Sequence, residues 1–130
     1  MNSEEKIDIT DILKENAVDN KMACAKIFEI IRQYTFFPDI VGIAMNQQEI
    51  KITHCQLGLF GYPDGKNITT AESVSEGLED KIYSFLDDDD KLPCIAAWDI
   101  ASELKIAKSD VTAACEKMGI KISHCQLGAF

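Results

Sequence analysis

Positive charge is scarce in this 130-residue chain, where 13 lysines and arginines stand against 22 aspartates and glutamates, a net charge of −9. A phosphate backbone is repelled at long range by such a molecule. No apolar run approaches the roughly 20 residues that a membrane-spanning helix needs, so no membrane partner is expected. The opening Met1-Asn2-Ser3-Glu4-Glu5 has neither a basic nor an apolar stretch, which predicts no export leader and a cytoplasmic protein. The chain also lacks a phosphate-cradling glycine loop, a G-x-S-x-G elbow, and paired carboxylates in a setting that would raise a pKa. Neither enzymatic activity nor a cofactor is expected. No Cys or His ligands fall at the two- to four-residue spacing of structural zinc.

What the chain has is a ten-residue string spelled twice. Lys51-Ile52-Thr53-His54-Cys55-Gln56-Leu57-Gly58-Leu59-Phe60 returns 70 positions later as Lys121-Ile122-Ser123-His124-Cys125-Gln126-Leu127-Gly128-Ala129-Phe130. Aligned without gaps, 21–60 and 91–130 share 14 identical positions of 40, among them Cys24 with Cys94 and Val41 with Val111. That is a duplicated unit. Each copy carries a net charge of +1, while residues 1–20 carry −4 and residues 61–90 carry −7. The acidity lies outside the repeat.

Apolar spacing predicts a first helix over about Ser3–Val18, with Ile7, Ile12 and Leu13 on its apolar face and Thr10 able to cap a late start. Further helices are predicted over Met22–Tyr34, from Pro38 to about Gln47, and from the Ser73-Val74-Ser75-Glu76 capping pattern to Leu86, with Leu78, Ile82, Phe85 and Leu86 inward. Cys94–Leu104 and a helix N-capped by Ser109 and closed by Gly119 complete the set. Ile50–Ile52 and Ile120–Ile122 alternate as strands, and 66–72 offers a second short strand. Asp87–Asp90 reads as a solvated loop, because four consecutive aspartates cannot all point at one cation.

Each copy is then helix, helix, turn, helix, strand. Ala101-Ser102-Glu103-Leu104-Lys105-Ile106, followed by Val111 and Gly119-Ile120, resembles the helix-turn-helix pattern, and the trailing strand and turn-rich loop resemble a winged helix. The family usually has glycine where this chain has Lys105. In the first copy Ile31 and Tyr34 replace the small residue and the leucine. The resemblance implies an α+β, mainly helical fold of two tandem winged-helix-like three-helix units with short β-hairpins, related by a pseudo-two-fold. The units would cover 1–65 and 66–130, or pack as one compact domain. It also implies a regulatory or interaction module whose partner is DNA or protein, with homo-oligomerisation possible. For DNA the contact candidates are Lys105, Lys108, Ser109, Thr112, Lys117 and Lys121.

The repeated string holds further candidates: His54, Cys55 and Gln56, with His124, Cys125 and Gln126. Its polar residues stay identical while the helices before it diverge, which suits an interface between the copies or a site they share. Five cysteines favour free thiols over a disulfide framework. Strand neighbours point to opposite faces, so a metal site would have to combine Cys24 with Cys55 and Cys94 with Cys125. Cys24 and Cys94 fall at helix starts, where the helix dipole can lower a thiol pKa. The alternative function is therefore a metal- or thiol-dependent sensor. Against it stands the plain expectation that these cysteines, and Cys115, are small core residues.

Overall fold

The computed structural model describes residues 8–130. In chain order the elements are α1 (Ile9–Asn16), β1 (Lys21–Ala23), α2 (Cys24–Tyr34), α3 (Pro38–Gln47), β2 (Lys51–Thr53), α4 (Glu76–Ser84), β3 (Leu92–Pro93), α5 (Cys94–Leu104), α6 (Lys108–Met118) and β4 (Ile122–Ser123). The fold is mixed α and β, mainly helical. α2 and α5 start and stop at positions 70 apart, and so do the starts of α3 and α6.

The backbone keeps the offset at its unusual positions too. Left-handed residues recur in pairs: Asn20 with Asp90, Thr35 with Lys105, Glu49 with Gly119, His54 with His124, and Gly58 with Gly128. Lys105 at φ 57° occupies the left-handed C-cap of α5, the conformation that favours glycine in helix-turn-helix sequences. Lysine is tolerated there at a cost of roughly 1–2 kcal/mol.

Several local expectations shift. The described part of the first helix begins at Ile9 with Asp8, not Thr10, as its N-cap: the Asp8 carboxylate accepts from the Thr10 N–H at 2.9 Å. Residues 3–7 of the expected helix lie outside the described residues. Ser75, not Ser73, caps α4 by accepting from the Leu78 N–H. α4 ends at Ser84, leaving Phe85 outward while Ile82 is fully buried. α6 begins one residue before Ser109, and its first turn is tied by Asp110, whose carboxylate accepts from the Ala107 N–H at 3.1 Å.

The expected hairpins are replaced by parallel pairs. β1 runs parallel to β2, with Lys21 opposite Lys51 and Ala23 opposite Thr53, and β3 runs parallel to β4, with Leu92 opposite Ile122. Parallel strands need a crossover of a dozen residues or more, and the two helices between the strands supply it. Residues 66–72 form no strand.

Two cores result. One gathers Leu13 from α1, Ile27, Phe28 and Ile31 from α2, and Val41 and Met45 from α3; the other gathers Ile82, Ile100, Ala101, Val111 and Cys115. Each takes its missing piece from the opposite copy. Leu127 is buried in the first core, and Cys55 and Leu57 are buried in the second. The approach is close: a Cβ on Gly42 of α3 would overlap the Leu127 carbonyl oxygen and come within 2.8 Å of its carbon. Burying each leucine contributes roughly 1.5–3 kcal/mol. Trp98 packs against both cores.

Candidate functional site

Each repeated string closes into a small loop at this exchange. The Cys55 N–H donates to the Phe60 carbonyl at 3.1 Å and the Gly58 N–H to the Cys55 carbonyl at 2.8 Å; Cys125 with Phe130 and Gly128 with Cys125 repeat both bonds at 3.1 and 2.9 Å. His54 and His124, at φ 47° and 50°, turn the chain as each strand ends. The turn leaves the imidazoles in solvent and carries Cys55 inward. His54 Nδ1 lies 3.0 Å from Thr53 Oγ1, and His124 Nδ1 lies 3.0 Å from Ser123 Oγ. Tyr62 adds a clamp in the first copy, its hydroxyl donating to the Cys55 carbonyl at 2.7 Å. Each histidine thus parts company with its neighbouring cysteine, and the cysteines meet those of other elements instead.

Cys24 and Cys94 open α2 and α5 and are buried. Burial pushes the Cys24 thiol from 9.0 up to about 11, against the backbone hydrogen bond from Gln56; charge on Cys55, Cys94 and Cys125 pushes it further up. Cys94 is raised by burial in the same way, opposed by the side chain and backbone of Gln126, whose Nε2 lies 3.7 Å from the Cys94 sulfur. The expectation that the helix dipole would depress these thiols fails, because desolvation of a thiolate outweighs the field of one helix end. All five cysteines are free thiols, and Cys115 is pushed by burial to about 11.

The four repeat-related thiols therefore lie close enough to feel one another's charge. Among the described residues, however, no group of three or more His, Cys, Asp or Glu side chains is placed to hold a metal ion. The two observations agree once distance is considered: charges interact across many ångströms of a low-dielectric interior, whereas a zinc–sulfur bond needs about 2.3 Å.

The residues proposed for DNA contact scatter in environment. Thr112 is only 2 % exposed and its hydroxyl donates to the Lys108 carbonyl, which withdraws it from any surface. The Lys108 ammonium sits 4.7 Å from the centre of the Trp98 ring. Lys105, Ser109, Lys117 and Lys121 are exposed. Between Ser109 and Lys117 the same helix exposes Asp110 and Glu116, and Lys66 pairs with Glu116 at 3.7 Å.

Sequence reasoning missed a second surface. Among the outward residues of α3 are Ile40 and Ile43, exposed by 49 % and 56 %, with Phe37 exposed by 72 % at its N-cap, beside exposed Asp39, Asn46 and Gln47. The three apolar residues recur every three positions, on the side away from the buried Val41, Ala44 and Met45. The signal was in the sequence, since a helix with apolar residues on both faces cannot bury both against one core. A cleft of about 550 Å³ runs beside this face, bordered by Gly42, Ile43, Met45, Ile50, Leu127 and Gly128.

Of the acidic run, only Asp87 has a side-chain partner set among the described residues. Its Oδ1 accepts from the N–H groups of Asp89 and Lys91 at 2.9 and 3.0 Å, and its Oδ2 accepts from the Ser123 hydroxyl at 3.0 Å, 3.6 Å from His124 Nδ1. These bonds, led by that from Lys91, hold its pKa below 3.8. Asp87 ties the loop to β4, and Asp88, Asp89 and Asp90 are exposed.

No described helix is long and apolar enough to cross a membrane. Comparison with protein-family models, curated proteins and solved structures finds no match to this chain.

Proposed function

We propose that the chain is a non-enzymatic interaction module, a duplicated helix-turn-helix-like scaffold whose partner is a protein. The observation that carries this is the exposure of Phe37 at the N-cap and of Ile40 and Ile43 on α3, the helix that a DNA-reading protein would place in the groove. Three neighbouring apolar side chains are desolvated favourably by protein and offer a phosphate backbone nothing. The second candidate reading helix, α6, alternates its lysines with Asp110 and Glu116, and the net charge of −9 repels DNA at long range.

A gel shift on mixed genomic DNA tests this. The expected result is an unretarded probe at low salt. Retardation that weakens steeply with salt, and is lost in a Lys108→Glu, Lys117→Glu double variant, would overturn it in favour of a transcription-linked DNA binder.

A second reading, a thiol-dependent sensor, is supported by the charges on Cys55, Cys94 and Cys125 acting on the buried Cys24. Its test is a cobalt titration followed by thiolate charge-transfer absorption, together with a thiol count under mild oxidant. Unchanged absorption and five thiols still titrating would remove it.

A further inference from the structure

The two copies differ most in what lies across their last helix. In the second copy, residues 66–71 of this chain run over α6. The Ala71 N–H donates to the Ala113 carbonyl at 3.1 Å, and the Asn67 N–H donates to the Gly58 carbonyl at 2.8 Å. The fit is tight: a Cβ on Gly58 would meet the Asn67 carbonyl oxygen at 2.6 Å and Ile68 Cγ1 at 3.3 Å. The space left between α6, β4 and Leu59 is about 180 Å³.

In the first copy the corresponding surface is open among the described residues. A Cβ on Gly128, the counterpart of Gly58, would meet nothing within 4 Å. Among the described residues, no backbone N–H outside the regular elements reaches the Gly128 carbonyl. The cleft between α3, β2 and Leu127–Ala129, counterpart of the filled one, measures about 550 Å³. Its lining includes Ile43, where the second copy has Ala113, and Met45, where the second copy has Cys115.

The same backbone thus presents the same docking groove twice, once occupied and once vacant among the described residues. We propose that the α3 groove receives an extended peptide segment of a partner protein, aliphatic and uncharged at the position corresponding to Ile68, laid down as residues 67–71 lie on α6. Two main-chain amides four residues apart would bond the carbonyls of Gly128 and Ile43, and the aliphatic side chain would sit against Gly128. Main-chain bonds supply affinity in such docking, and the side-chain site supplies specificity. The proposal rests on the protein-partner reading and names the chemistry of that partner.

The test lengthens the full chain after Phe130 with a copy of residues 61–72, so that the added segment follows Phe130 as residues 61–72 follow Phe60. Tethering raises the effective concentration to the millimolar range, so weak intrinsic affinity cannot hide docking. Expected are shifted amide resonances at Gly42, Ile43 and Gly128, and hydrogen exchange at the added Asn67-equivalent and Ala71-equivalent amides slowed about tenfold or more. Replacing the added isoleucine by aspartate should abolish both effects, as should Ile43→Asp in the groove. An extension that leaves Gly128 unshifted and its own amides exchanging freely overturns the proposal. So does the unextended protein if its Gly128 and Ile43 resonances move on dilution, which would give the groove to a second copy. Movement of the same resonances on deleting residues 1–7 would assign the groove to this chain itself, and likewise overturns it. The DNA gel shift is independent of all these outcomes, so failure of the groove and failure of the protein-partner reading are separable.

Discussion

Phe28 and Trp98, counterparts 70 positions apart, meet with ring centroids 4.5 Å apart and planes inclined at 57°. The contact joins α2 to α5 where the two cores touch, and the buried Trp98 indole N–H has no hydrogen-bond partner among the described residues.

Trp98→Phe should therefore be nearly neutral, within about 1 kcal/mol in urea unfolding. Removing an orphaned donor recovers roughly 1–3 kcal/mol. Lost ring volume and the lost contact with Lys108, worth about 0.5–1 kcal/mol, offset that gain. Trp98→Ala also removes the donor but leaves a cavity in place of the ring, and should cost roughly 3–5 kcal/mol.

Two glycine-to-alanine changes should have opposite signs. At Gly42 the new methyl overlaps the Leu127 backbone, so α3 and the C-terminal loop must separate at a cost of about 1–3 kcal/mol or more. At Gly77, in the first turn of α4, nothing lies within 4 Å, and alanine should gain about 0.5 kcal/mol. Thermal unfolding of the two variants beside the parent checks the pair.

Alkaline pH should weaken the fold through its buried thiols. Cys115 titrates at about 11 when folded and near 9.0 when exposed, so the unfolded chain releases its proton first. The sign follows: the contribution is complete below 9.0 and is lost as pH rises through about 11. Cys115→Ala should be less stable than the parent at pH 8, and the deficit should narrow by pH 11. A deficit constant across denaturant melts at both pH values would contradict this.

Asp87 should behave in the opposite way. Its folded pKa lies below 3.8, so its contribution is present above the ordinary carboxylate range and is lost as pH falls through the folded value. A carbon-detected NMR titration should place its midpoint below 3.8. Ser123→Ala should move that midpoint upward.

The duplication, most helices and the turn at Pro38 were legible because they are local: shared letters at a fixed offset, apolar spacing, and a proline at the first helical position. β1 and β3 were not legible, since strands of three and two residues are too short to show alternation. Nor was the parallel pairing, which the helices between the strands decide. Leu57 and Leu127 read as apolar, but sequence likeness says which residues correspond and not which core each enters. That Cys24 corresponds to Cys94 and Cys55 to Cys125 was legible from the fixed offset. The raised pKa of Cys24 was not, because the dipole of α2 can be read from position while burial cannot.

A cut anywhere in the turn at 63–66 would not release two independent pieces. Each fragment would still hold the other's leucine, and pulling them apart would open a void beside Gly42 and another beneath α5 at once. A nicked chain should run as one particle in native gels and melt in a single step, and neither fragment expressed alone should reach the parent's melting temperature.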